Sequence, residues 1–136
     1  MDQRQWESLV EALRDVDNIE SAVAAAAQMQ ARASKEDVPR LLDLLADESF
    51  IVREAAAWPP SDLGRVDLLP QLLAAYNRGL AEGHDNDGFS AALIDLVQSK
   101  PAASQAQLSA FTSSADPELR KTAAWLLEFV QGAHDA

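Results

Sequence analysis

DVPRLLDLLADESFIVREAAAW, residues 37 to 58, is the stretch whose reading decides the fold. Val38, Leu41, Leu42 and Leu45 recur at spacings of three and four, which puts them on one stripe of a helix. Val52, Ala55 and Ala56 do the same in a second run. Between the two runs, Ala46-Asp47-Glu48-Ser49 reads as a tight corner. The stretch is therefore an antiparallel pair of amphipathic helices. Neither helix can bury its stripe alone, so the hairpin needs neighbours on both sides.

Composition allows that reading and narrows the rest. The chain has 136 residues, 48% of them hydrophobic, enough to fill one modest core. Alanine and leucine dominate that fraction and aromatics are only 6%, which favours helix over sheet. There is no cysteine, so disulfides, thiol catalysis and zinc–thiolate sites are excluded together. Asp and Glu number 22 against 11 Lys and Arg, a formal net charge of −11. No basic patch is visible, so free nucleic acid and an anionic membrane are poor partners, and a basic protein is the electrostatic complement. The same charge also fits a plain solubilising surface. No apolar run approaches membrane-spanning length, and the opening MDQRQWES does not resemble a secretory signal. The chain starts at Met1 and reads as complete, so a cytoplasmic protein is expected.

Further helices follow on either side of the opening stretch. Residues 4 to 15 place Trp6, Leu9, Val10 and Leu13 on one face. Asp17 or Asn18 can cap the next helix, 19 to 32, whose stripe is Ile19, Ala22, Val23, Ala26 and Met29. Ser34 to Asp37 forms a capping box ahead of the third helix. The fourth starts near Phe50 and is expected to stop at Trp58, because Pro59-Pro60 follows, with residues 61 to 64 as a turn. Asp67 reads as the cap of a fifth helix burying Leu69, Leu72, Leu73 and Tyr76, with Gly79 and Gly83 at its frayed end. After a polar loop, 82 to 88, the sixth helix buries Phe89, Ala92, Leu93, Leu96 and Val97. A weaker seventh helix, 102 to 113, carries Leu108 and Phe111. The eighth has Asp116 as cap and Pro117 at its first position. Its core face is Leu119, Ala123, Leu126, Leu127 and Val130, and Gly132 is expected to end it.

Two of these hairpins superpose in sequence. Leu41 matches Leu108, Arg53 matches Arg120, Ala56 and Ala57 match Ala123 and Ala124, and Trp58 matches Trp125, each 67 residues apart. VPRLLDLLADESFIVREAAAW runs as a leucine-rich first helix, an acidic corner, then Val-Arg and a pair of alanines. DPELRKTAAWLL repeats its second half and LLPQLLAAY its first. From Asp37 to Val130 this resembles the HEAT-repeat family.

That resemblance implies an all-α fold, an α-α superhelix of four HEAT-like hairpins in a single solenoid. The hairpins would span about 4 to 32, 36 to 58, 67 to 99 and 102 to 131 of one domain, 1 to 136. It also implies that Arg53 and Arg120 are structural, pairing with Asp47 or Asp116 of their own or an adjacent repeat. Proteins of this kind are usually binding scaffolds, and fold alone does not settle activity.

No catalytic set stands out, so a non-enzymatic protein is expected, with no cofactor and no metal. His84 lies between Gly83 and Asp85, with Asp87 nearby, and reads as a solvated turn in which Asp87 caps the sixth helix. Asp85-Asn86-Asp87-Gly88 resembles part of a calcium loop, but Gly83 and Leu96 stand where further acidic ligands are required. His134 falls in the tail.

Carboxylates spread along the chain. Glu20, Glu54, Asp95 and Glu128 sit on second helices of hairpins, and Asp17, Glu48, Asp85, Asp87 and Glu118 sit at corners. An acidic face or edge results if the hairpins stack regularly, and an acidic surface all round is the alternative. Glu54, Trp58, Asp85, Asp87, Asp95 and Glu128 are the candidate partner-binding residues, Trp58-Pro59-Pro60 marking a notch beside the 82 to 88 loop. The functional expectation is a protein–protein interaction module binding a basic partner, most concretely an immunity or antitoxin-type inhibitor of a toxin. That last step rests on size and charge. The alternatives are an adaptor or assembly factor in a larger complex and, by the family resemblance, a chromophore-lyase-like enzyme subunit. Salt-sensitive binding favours the inhibitor, a large apolar patch the assembly role, and a pocket with an isolated perturbed carboxylate the enzyme.

Overall fold

A computed structural model describes the backbone of residues 1–135 and the side chains of residues 1–130. Eight α-helices pack against one another: α1 Gln3–Arg14, α2 Ile19–Arg32, α3 Val38–Leu45, α4 Phe50–Asp62, α5 Leu69–Ala81, α6 Asp87–Ser99, α7 Pro101–Phe111 and α8 Pro117–Asp135. Short 3₁₀ turns, Lys35–Asp37 and Val66–Leu68, lead into α3 and α5. Among the described residues there is no strand.

The helix starts follow from local chemistry. Asp2 accepts from the Gln5 amide at 2.8 Å, Asn18 from Ser21 at 3.0 Å and Ser49 from Val52 at 3.4 Å, so each satisfies an otherwise orphaned N–H. Asn18, rather than Asp17, is thus the cap of α2. The capping box forms as expected, with the Ser34 amide donating to the Asp37 carboxylate at 2.9 Å. Asp116 caps α8 through the Glu118 amide at 3.0 Å.

Two expected caps are not made. Asp67 lies inside the second 3₁₀ turn, and its carboxylate is held by Arg65 at 2.8 Å instead. Asp87 is the first residue of α6 and leaves the cap position to Asn86. Its own amide donates to the Asp85 carboxylate at 3.0 Å.

The largest departure is in α4, which does not stop at Trp58 but runs through Pro59-Pro60 to Asp62. Each proline removes one backbone donor and strains the preceding turn. Both rings are buried, however, and Ser61 donates its hydroxyl to the Ala92 carbonyl of α6 at 2.8 Å. That packing offsets the lost bonds, and the last turn of α4 is clamped onto α6. Gly64, at φ +67°, ends the helix: the Arg65 amide reaches back to Pro60 and the Gly64 amide to Ser61. Gly83, at φ +80°, ends α5 in the same way. Gly79 is not in a frayed end but buried inside α5, and α8 continues past Gly132.

Within the hairpins, α1 packs on α2, α3 on α4 and α7 on α8, while α2, α4, α6 and α8 touch in succession. The third hairpin is looser, with α5 packing more broadly on α8 than on α6. Tyr76 of α5 stacks on Trp125 of α8 with centroids 5.4 Å apart, and Phe89 meets Tyr76 edge-on at 5.8 Å. Leu13, Met29, Leu41, Leu69, Leu72, Leu93, Leu96 and Leu126 are all but fully buried. At roughly 1.5–3 kcal/mol each they outweigh the surface ion pairs, which contribute about 1 kcal/mol or less.

Polar links cross the hairpin boundaries at the corners. Arg14 of α1 donates to the Asp47 carboxylate at 3.1 Å. Arg53 of α4 is fully buried; it donates to the Asp47 and Glu48 carbonyls at 2.9 and 3.1 Å and to the Glu82 carboxylate at the end of α5. Arg78 reaches the Asp47 carbonyl at 3.2 Å and Glu82 as well. The expected pairing is therefore corrected. Arg53 takes the backbone of Asp47 and the side chain of Glu82, because the Asp47 carboxylate is already held by Arg14. Arg120 does not pair with Asp116 either; it donates to the Ser114 carbonyl at 2.8 Å.

Candidate functional site

The second helix builds the site by turning two different faces. Its expected stripe is split: Ala22 and Met29 are buried and Ala26 partly so, while Ile19 and Val23 remain 71% and 65% exposed; Ala25, outside that stripe, is buried as well. The reason is the small side chains. With alanines on its inner face, α2 lies close to α4 and the branched residues are left on the outer ridge.

Ile19, Val23 and Ala27 run along that ridge at helical spacing, with Val16 extending it from the turn before α2, and Ile51, Ala55 and Trp58 face it from α4. Between them runs an open groove of about 570 Å³, floored by Ala22 and Ala26. Six large hydrophobic residues are exposed among the described residues, and four of them, Val16, Ile19, Val23 and Ile51, line this one groove. Scattered exposed aliphatics need no explanation, but four gathered along one groove with polar residues at its rim make that groove the candidate interaction surface.

The polar rim is Asp15, Gln30 and Glu54. Gln30 is tied to Asp62 at 3.0 Å. Glu54 is different: its half-buried carboxylate has no hydrogen bond or ion pair among the described residues. Burial against the apolar wall, and then the charge of Asp85, hold it above the usual carboxylate range. Gly88 of α6 lies against it, since a Cβ there would come within 3.0 Å of Oε1.

The sequence-derived candidates divide accordingly. Glu54 and Trp58 line the groove, and Asp85 acts on Glu54 from the loop before α6. Asp87 is exposed at the start of α6. Asp95 sits in a separate polar depression with Ser61, Asp62, Ser99 and Lys100. Glu128 is exposed on α8 with no polar contact among the described residues. The four exposed aliphatics were not among those candidates. Ile19 and Val23 read as core from periodicity alone.

His84 is not a free solvated turn. Its ring stacks on Phe50 at 4.5 Å, and Nε2 lies 3.5 Å from Glu82. Glu82 also holds Arg53 and Arg78. The hydrogen bond from Arg53 is the main reason its carboxyl sits below the ordinary value. Desolvation opposes that shift and the bond and charge of Arg78 add to it. Among the described residues no three histidine, aspartate or glutamate side chains converge in a way that could hold a metal ion. No helix among them is long and apolar enough to cross a membrane. His134 lies outside the described side chains.

No protein-family model matches the chain, and neither a curated protein nor a solved structure matches it.

Proposed function

We propose that this chain is a HEAT-like α-solenoid and a non-enzymatic protein-binding module, docking a basic partner in the groove between α2 and α4. The observation that carries the binding reading is the gathering of Val16, Ile19, Val23 and Ile51 along one acid-rimmed groove. Two features support the repeat reading. The even-numbered helices touch in succession. Arg53 and Arg120 each donate to the carbonyl six residues before them, Asp47 and Ser114, as equivalent positions of one repeat should.

The most concrete form of this function is an immunity or antitoxin-type inhibitor in the cytoplasm, its carboxylates meeting cations around a toxin's active site. The net charge of −11 supports a cationic partner. The apolar groove equally suits an adaptor or assembly factor. Affinity capture at low salt from the producing cells tests the binding function. The native chain should retain a basic protein that salt releases. The double variant Ile19→Asp, Val23→Asp should fold and retain none. Equal retention by both chains would refute the groove.

A second reading draws on Glu54. A carboxyl held above its usual range in an open pocket is the kind of group that the chromophore-lyase-like alternative would need as its acid. Retention of a coloured chromophore by the native chain, lost in Glu54→Gln, would favour it over protein binding.

A further inference from the structure

We infer that the groove receives an amphipathic α-helix of the basic partner, laying two or three apolar side chains between the ridges and setting one lysine or arginine against Glu54. This rests on the protein-binding reading above and adds the shape and charge of what is bound.

The geometry argues for a helix. The ridges Ile19-Val23-Ala27 on α2 and Ile51-Ala55-Trp58 on α4 follow spacings of three and four. Ridges of that kind accept the ridge of a third helix between them. The alanine floor, Ala22 and Ala26, lets its side chains reach the bottom. The backbone requirement points the same way. The lining offers polar side-chain groups only at Asp15, Gln30, Glu54 and the indole N–H of Trp58, and the backbone of α2 is bonded within its own helix. An extended segment would bring amides and carbonyls into the groove without partners. A helix brings none, because its backbone is bonded internally.

Charge decides what that helix carries. Glu54 is a half-buried carboxylate inside an apolar wall without a cation, with Asp85 as its charged neighbour. A lysine or arginine whose alkyl stem crosses the groove covers the aliphatic ridge and ends on that carboxylate. The other occupants fit badly. A second copy, also carrying −11, would bring the acidic rims together. The chain's own last residues, QGAHDA, contain no large apolar side chain and include Asp135.

The test uses the full chain and a synthetic peptide of about 18 residues, or about five helical turns. Leucine is placed at positions of one helical face and lysine elsewhere; a second peptide replaces lysine by glutamate. Binding is followed by fluorescence anisotropy and peptide helicity by circular dichroism. The leucine–lysine peptide is expected to bind and become helical, and the leucine–glutamate peptide not to bind. Glu54→Gln should weaken binding about tenfold, against about twofold or less for Asp43→Asn, an equal change of charge on exposed α3. Val23→Asp should abolish binding even though it adds a negative charge. Equal weakening by Glu54→Gln and Asp43→Asn overturns the cation–Glu54 contact, and a bound peptide without helix overturns the helical occupant; both leave the groove standing. Undiminished binding to Val23→Asp overturns the groove itself, and the binding function with it.

Discussion

Gly88 of α6 lies directly against the carboxylate of Glu54 in α4, so closely that a Cβ on the glycine would come within 3.0 Å of Oε1. The carboxylate is thus backed by α6 on one side and faces the apolar groove on the other. Its charged form is the less comfortable one in that setting.

That has a consequence for stability. Burial, then Asp85, raises the folded-state value of Glu54 above its ordinary 4.5. The unfolded chain therefore ionises this group more readily than the folded one, and folding is penalised as pH rises through the raised value. Glu54→Gln should melt above the native chain at pH 7, and the two should converge below about pH 4.5. Thermal melts across that range check the sign.

Asp47 and Glu82 should behave in the opposite way. Burial would raise the Asp47 carboxyl, but the bonds from Arg14 and the Ser49 amide, with the charges of Arg14 and Arg53, together outweigh it and lower the group. Glu82 is lowered chiefly by its bond from Arg53. The stability they provide is present above their ordinary values and is lost as pH falls through the lowered ones. Acid titration of Glu82→Gln should show a shallower loss of stability below about pH 4.5 than the native chain.

Arg53→Ala should cost about 3–5 kcal/mol by denaturant unfolding, because it empties a fully buried site and leaves the Glu48 carbonyl without its Arg53 donor and the Asp47 carbonyl with Arg78 alone. Arg14→Ala should cost about 1 kcal/mol or less, since Arg14 is half exposed although it spans the same corner.

Gly79→Ala offers a test against helix propensity. Mid-helix, the change favours alanine by roughly 1 kcal/mol. Here a Cβ would stand 2.6 Å from Asn86 Oδ1 and 3.1 Å from the Phe50 ring. Asn86 is buried and fixed by its bond to the Tyr76 carbonyl at 2.9 Å. A net loss of about 1–2 kcal/mol is expected, within the usual cost of overpacking. A rise in melting temperature would show that the α5–α6 junction yields freely.

Much of the fold was legible in the sequence. Caps such as Asn18, Ser34–Asp37 and Asp116, and core stripes such as Leu69-Leu72-Leu73-Tyr76 and Phe89-Ala92-Leu93-Leu96-Val97, are local, and local spacing reports them. The failures came where tertiary packing overrode local cost. Pro59-Pro60 should break a helix, yet burial of both rings and the bond from Ser61 to Ala92 carry α4 onward. Arg53 finds Glu82, 29 residues away, which no spacing rule within a repeat announces. The candidate site was legible in its charge, at Glu54 and Asp85, but not in its apolar half. Periodicity places Ile19 and Val23 on a stripe; it does not say whether a neighbouring helix covers it.

The most direct test of the account is a photo-reactive amino acid placed at position 23 of the full chain, in the cells that produce it, with the same residue at exposed position 105 of α7 as the control. The account predicts a discrete cross-link to a basic protein from position 23 alone, with the attached segment forming an amphipathic helix that carries lysine or arginine. No discrete product from position 23, or the same product from both positions, would contradict it.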